Sequence, residues 1–107
     1  KNTAAILKRL EKDNVYVGRW GGEEFMILVK DAEAYRVVMD LTNMVRMQVE
    51  NSIIFFEHWQ LRVTCSIGVS GTTEGLVFKE LVEEADKCLY EAKGNGKNQV
   101  IGKYGWL

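Results

Sequence analysis

The sequence has no proline, two cysteines and one histidine, and each scarcity closes off a class of reading. Without proline, internal repeats or a low-complexity linker, punctuation falls to glycine and polar clusters, and the whole chain reads as ordered. Cys65 and Cys88 stand apart, with no CxxC spacing and no histidine cluster beside them, so neither a zinc site nor a disulfide framework is signalled. They read as core thiols in a reducing cytoplasm. His58 has no ligand pattern around it and reads as a loop or strand-edge residue. No apolar run approaches the roughly 20 residues that span a bilayer, and no signal-peptide layout is present. The segment is therefore expected to be soluble and cytoplasmic, without membrane contact of its own, although the parent protein could be membrane-anchored. A formal charge of −1 gives no overall basic field, so nucleic acid is not an expected partner, while a small phosphorylated ligand stays open. The chain opens on Lys1 rather than Met, which suggests a piece of something longer.

What is present suffices for one modest core: 107 residues, 47% of them hydrophobic, are expected to form a single unit over 1–107. Ala4, Ile6, Leu7 and Leu10 share a helical face that Glu11-Lys12-Asp13-Asn14 ends. Ala34, Val38, Leu41, Val45 and Val49 recur at spacings of three and four, predicting an amphipathic helix over 32–50. Strict alternation over 60–69, with Leu61, Val63, Cys65, Ile67 and Val69 on one side, predicts a half-buried strand. Phe55, Phe56 and Trp59, beside that strand, are expected in the core rather than as a platform for a base. A second apolar stripe, Phe78, Leu81, Val82, Ala85, Cys88, Leu89 and Ala92, predicts a helix over 78–93 that Gly94 and Gly96 end, with Asp86 on its polar side. A short strand over 99–101 completes the order α-β-β-α-β-α-β, an α+β arrangement with helices covering a mostly antiparallel sheet.

The segment 15–29 carries the chemistry. Two strand-like runs flank Gly21-Gly22, and a two-residue glycine connection favours a tight hairpin because glycine accepts the positive φ of the primed turns. In such a hairpin Trp20 faces Glu23 and Arg19 faces Glu24. Two carboxylates opening an otherwise apolar strand contradict local preference. They are either solvated turn residues, with Glu24 bridged to Arg19 at the surface, or oxygen ligands for a hard divalent cation beside a turn bare enough for a bulky ligand to approach.

Arg19-Trp20-Gly21-Gly22-Glu23-Glu24-Phe25 resembles the signature hairpin of the GGDEF diguanylate cyclase domain family. Val63-Thr64-Cys65-Ser66-Ile67-Gly68-Val69 resembles that family's vTxSiGva strand, and the segment from Ala85 to Asn98 resembles its ADxaLYxAKxxGrN stretch. Three matches in order cover nearly the whole chain. The resemblance implies a nucleotide-cyclase or polymerase-palm-like fold with a ferredoxin-like core. It also implies that GTP is the substrate, that two domains face one another as a homodimer, and that each 3′-hydroxyl attacks the other nucleotide's α-phosphate to give cyclic di-GMP. Mg²⁺ or Mn²⁺ is the implied cofactor, held by Glu23, which is also associated with activating the 3′-hydroxyl; Glu24 is the other carboxylate candidate. Gly21 and Gly22 would leave room for the nucleotide. Lys93 falls where the family binds phosphate, against the plainer reading of a cation complementing a helix C-terminus. Lys97 stands where the family commonly has arginine, keeping the charge without the bidentate fork. Arg19 has either an electrostatic role in the site or a bridge to Glu24.

Two departures qualify the resemblance. The positions matching the family's RxxD product-inhibition motif hold Lys12 and Val15, which predicts no strong feedback site. The family's first strand, with its metal-binding aspartate and the residues that read guanine, has no counterpart, so the chain is expected to be an N-terminally truncated domain with little activity of its own. That strand is central in the family. Its absence is expected to leave the hairpin without a neighbour and to favour association or strand exchange with a second copy. Sensory domains of a parent protein are implied partners. The competing readings are a non-catalytic GGDEF-like module that binds GTP or a protein, and a plain interaction or dimerisation domain.

Overall fold

A computed structural model describes residues 3–11, 14–21, 23–72 and 78–105, and of Trp20, Ile54 and Phe56 the backbone alone. The elements are α1 (Thr3–Lys8), β1 (Val15–Gly21), β2 (Glu24–Val29), α2 (Ala32–Glu50), β3 (Ile54–Phe56), β4 (Trp59–Leu61), β5 (Ser66–Gly71), α3 (Phe78–Gly94) and β6 (Val100–Tyr104). The α+β class and both long helices agree with the sequence reading.

The main sheet has the order β1-β2-β5-β6 and is mixed rather than mostly antiparallel. Only β1 and β2 run antiparallel, while β2–β5 and β5–β6 are parallel. The reason is the connectivity: α2 and α3 are crossovers, each returning the chain to the starting end of the sheet so that the next strand runs alongside the last. The expected vacancy beside the hairpin is also absent. β2 pairs with β5 in continuous register from Glu24↔Ser66 to Val29↔Gly71, so the hairpin has a neighbour along its full inner edge.

The sheet separates two cores. Val15, Val17, Phe25, Ile27, Val29, Ile67 and Val69 face one side with Leu7 of α1 and with Val38 and Val49 of α2. Met26 and Leu28 face the other side with Leu81, Ala85 and Leu89 of α3. β5 is therefore buried at all six residues instead of half-buried. The face that looked polar in sequence is small rather than wet: a Cβ at Gly68 would clash with the carbonyl oxygen of Ala85 and lie 2.5 Å from the Leu89 nitrogen. On the same face the Ser70 hydroxyl donates to Leu81 O at 2.7 Å.

On α2, Thr42 rather than the expected Leu41 turns inward; Leu41 is exposed, and the buried Thr42 hydroxyl donates to Val38 O at 2.7 Å. Asp31 caps the helix by accepting from Glu33 N at 3.3 Å, and also accepts from Asn14 Nδ2 at 3.1 Å. The alternating stretch breaks after Leu61. Its first part pairs with β3 as a separate two-stranded sheet, with His58 in the turn. Phe55 and Trp59 are 71% and 65% exposed there, so neither is a core residue as expected.

Candidate functional site

The signature turn closes differently from a two-residue Gly-Gly hairpin. Arg19 lies opposite Phe25 and Gly21 opposite Glu24, with an irregularity between Arg19 and Gly21. The extra residue, Trp20, shifts the register, so Trp20 does not face Glu23 and Arg19 does not face Glu24. Glu23 is lifted out of the ladder into the turn itself. Gly22 lies outside the described residues. A Cβ at Gly21 would meet nothing within 4 Å among the described residues, its chain neighbours aside.

Glu23 is the feature that stands out chemically. Its backbone carbonyl accepts from Ser66 N at 3.0 Å, which fastens the turn to β5. Its Oε1 atom is buried with no hydrogen-bond partner among the described residues. A buried, unsatisfied carboxylate oxygen is costly unless something cationic or hydrogen-bonding occupies the space before it. Cys65 is 1% exposed, its thiol pushed up to about 11 by burial and then by the Glu23 charge, with Arg46 pulling the other way.

Glu24 forms an ion pair with Lys93 from the last turn of α3, at 3.4 Å, and this brings two of the expected site residues together. Both side chains are about one-third exposed, so the pair contributes ~0–1 kcal/mol to stability. Its consequence is positional, because it sets a phosphate-binding candidate beside the signature turn. After α3 the chain turns through Gly96, Lys97 and Asn98, with φ of 111°, 64° and 53°. Lys97 is exposed on this turn. Asn98 N donates to Ser66 Oγ at 3.1 Å, so the post-helix loop and the signature turn are both anchored on Ser66. Arg46, on α2, donates to Asn98 O at 3.3 Å and to Asn98 Oδ1 at 3.0 Å. Sequence reasoning passed over Ser66 and Asn98 as single residues although both lie in the matched segments. It passed over Arg46 altogether, since an arginine beside an apolar stripe looks solvated.

Of the positions matching the product-inhibition motif, Lys12 lies outside the described residues and Val15 is buried in the core. Among the described residues no three His, Cys, Asp or Glu gather as a metal cluster. Mg²⁺ is commonly held by one or two carboxylates together with substrate phosphates, and the free Glu23 oxygen suits that mode.

The family model described as "Diguanylate cyclase, GGDEF domain" matches residues 1–99. The chain belongs to the GGDEF domain family. Among curated relatives it is 37% identical over 101 residues to Diguanylate cyclase A of Treponema denticola, matching 94% of this chain and 27% of that protein. It is 40% identical over 88 residues to Response regulator PleD of Caulobacter vibrioides, matching 79% of this chain and 19% of that protein. The chain thus spans about a fifth to a quarter of the length of these relatives. Among solved structures, the GGDEF domain of DgcB from Caulobacter crescentus in complex with c-di-GMP superposes with a TM-score of 0.73 at 27% identity, covering 94% of this chain and 60% of that one. Among the described residues of this GGDEF chain, no helix is long and apolar enough to cross a membrane.

Proposed function

We propose that this GGDEF chain supplies the signature turn of a diguanylate cyclase, holding GTP there for condensation with a second GTP into cyclic di-GMP. The observation that carries the reading is the Glu23 Oε1 atom, buried and without a hydrogen-bond partner among the described residues, beside Gly21, where a Cβ would meet nothing within 4 Å. Glu23 would hold a divalent cation, Mg²⁺ or Mn²⁺, which when bound neutralises phosphate charge and favours ionisation of the 3′-hydroxyl. Lys93 and Lys97 would bind phosphate oxygens, Gly21 and Gly22 would admit the nucleotide, and Arg19 would add positive potential from the edge of the turn. Glu24 serves by orienting Lys93. The reaction forms a bond from each 3′-oxygen to the opposing α-phosphorus and expels pyrophosphate, so two sites must face one another and positioning dominates. A second copy of the domain is the required partner, and sensory domains would govern the encounter.

The test is GTP binding in the presence of Mg²⁺ to the 107-residue chain, followed by turnover in a fusion that supplies the N-terminal segment of a relative. Glu23→Ala is expected to abolish turnover in the fusion, and activity that survives it refutes the role given to Glu23. A second reading, a non-catalytic GGDEF module that binds nucleotide, is favoured by the Glu24–Lys93 ion pair, which engages the other carboxylate of the turn. GTP binding with no turnover in the fusion would select it.

A further inference from the structure

Resting on that reading, we propose that Arg46 is a positioning residue for the phosphate-binding loop: from α2 its guanidinium holds Asn98, and thereby sets Lys97 relative to the signature turn. The argument begins with backbone conformation. Lys97 and Asn98 are consecutive non-glycine residues at positive φ, a region uncommon for side-chain-bearing residues and entered more readily by asparagine than by lysine. Three backbone hydrogen bonds close the turn after α3, from Asn95 to Glu91 O, from Gly96 to Lys93 O and from Lys97 to Ala92 O. These account for the entry into the turn. They leave Asn98 to be fixed from outside.

That outside fixation comes from two places. Ser66 Oγ accepts the Asn98 N–H at 3.1 Å, while Arg46 Nη1 donates to both Asn98 oxygens, main-chain and side-chain. The guanidinium is itself held on α2, its Nε donating to Asn43 Oδ1 at 3.0 Å and its Nη1 reaching Glu50 Oε1 at 3.1 Å. Only 15% of the Arg46 side chain is exposed. A charged group so enclosed, with Nε and Nη1 both engaged, is held more firmly than a surface arginine. Because Ser66 N also donates to the Glu23 carbonyl, Arg46, Asn98, Ser66 and Glu23 form one continuous hydrogen-bonded path from α2 to the signature turn. Lys97 adjoins Asn98 in that path and is itself exposed, so whatever it binds is placed by the loop beneath it.

Calorimetric titration of the 107-residue chain with GTP and Mg²⁺, alongside amide hydrogen exchange, separates this role from simple structural support. Arg46→Met is expected to weaken GTP by about tenfold and Arg46→Lys by only about threefold, since lysine restores one charged donor. In a double-mutant cycle, Arg46→Met combined with Lys97→Ala should bind no worse than Lys97→Ala alone, because a mispositioned Lys97 and a missing one are equivalent. Losses that multiply overturn the proposal. In the nucleotide-free chain, Arg46→Met should speed exchange at the Asn98 amide by at least about tenfold while leaving Val69, in the buried strand, unchanged. If Arg46→Met does not fold, Asn98→Gly reports in its place: it keeps the positive φ, removes the side-chain oxygen, and should reproduce the GTP loss. Wild-type chain that binds no GTP refutes the functional reading; wild-type binding with unchanged Asn98 exchange in Arg46→Met refutes the positioning role alone.

Discussion

Two β-hairpins lie in this chain, and they differ in almost everything except composition. β1–β2 presents valine, phenylalanine, isoleucine and leucine to two cores and has β5 along its inner edge. β3–β4 is as aromatic, yet among the described residues its strands pair only with each other, and Phe55 and Trp59 stand largely in solvent. An isolated two-stranded unit has no sheet face to bury and is marginal by itself. What distinguishes the two is whether a crossover helix returns over the strands. Local hydrophobicity nominates both hairpins for the core, but only α2 and α3 decide which is covered.

The comparison breaks most readily through matched truncations. Phe25→Ala should destabilise the domain by about 3–5 kcal/mol, while Phe55→Ala and Trp59→Ala should stay within about 0.5 kcal/mol, all read by chemical denaturation. Equal losses on the two hairpins would mean that β3–β4 is buried in solution. A sharper probe of the covered side is Gly68→Ala, where the added methyl meets α3 backbone that has no rotamer to yield. A loss near about 3 kcal/mol, at the upper end for overpacking, is expected in thermal unfolding. A loss under about 1 kcal/mol would contradict this close approach of α3 to β5.

Next in size is a pH effect. Burial raises both the Cys65 and Cys88 thiols to about 11 from an ordinary 9.0. A group with a raised folded value contributes its stability fully below the unfolded value and loses it as pH climbs through the folded one. Stability should therefore fall between about pH 9 and pH 11, less steeply in Cys65→Ala/Cys88→Ala than in the parent. Parallel slopes would contradict the burial of these thiols. The smallest effect belongs to the exposed ion pair at the site: Lys93→Ala should cost ~0–1 kcal/mol of stability, weakening further at high salt. The same substitution should nonetheless weaken GTP binding, a split between stability and function that the β3–β4 aromatics should not show.

Much of this was legible in advance, residue by residue. The periodicity of Ala34, Val38, Val45 and Val49 marked α2, and the stripe from Leu81 to Ala92 marked α3, because helical spacing puts such residues on one face whatever they later touch. The family signature was equally plain in Gly21-Gly22-Glu23-Glu24-Phe25. The register was not, since the irregularity around Trp20 that frees Glu23 is set by how β1 meets β2.

Sequence by itself determined the lengths and apolar faces of the helices, the position of the turn and the residue types gathered near it, all properties of short spans of chain. Tertiary structure alone decided that β2 and β5 run side by side, that Ser66, Gly68 and Ser70 form a covered face, and that Arg46 reaches Asn98 across 52 residues. The physical reason is common to all three. Alternation and periodicity state which side of an element is apolar, but what covers its other side, and in which direction its neighbour runs, depends on groups that meet only when the chain has closed on itself.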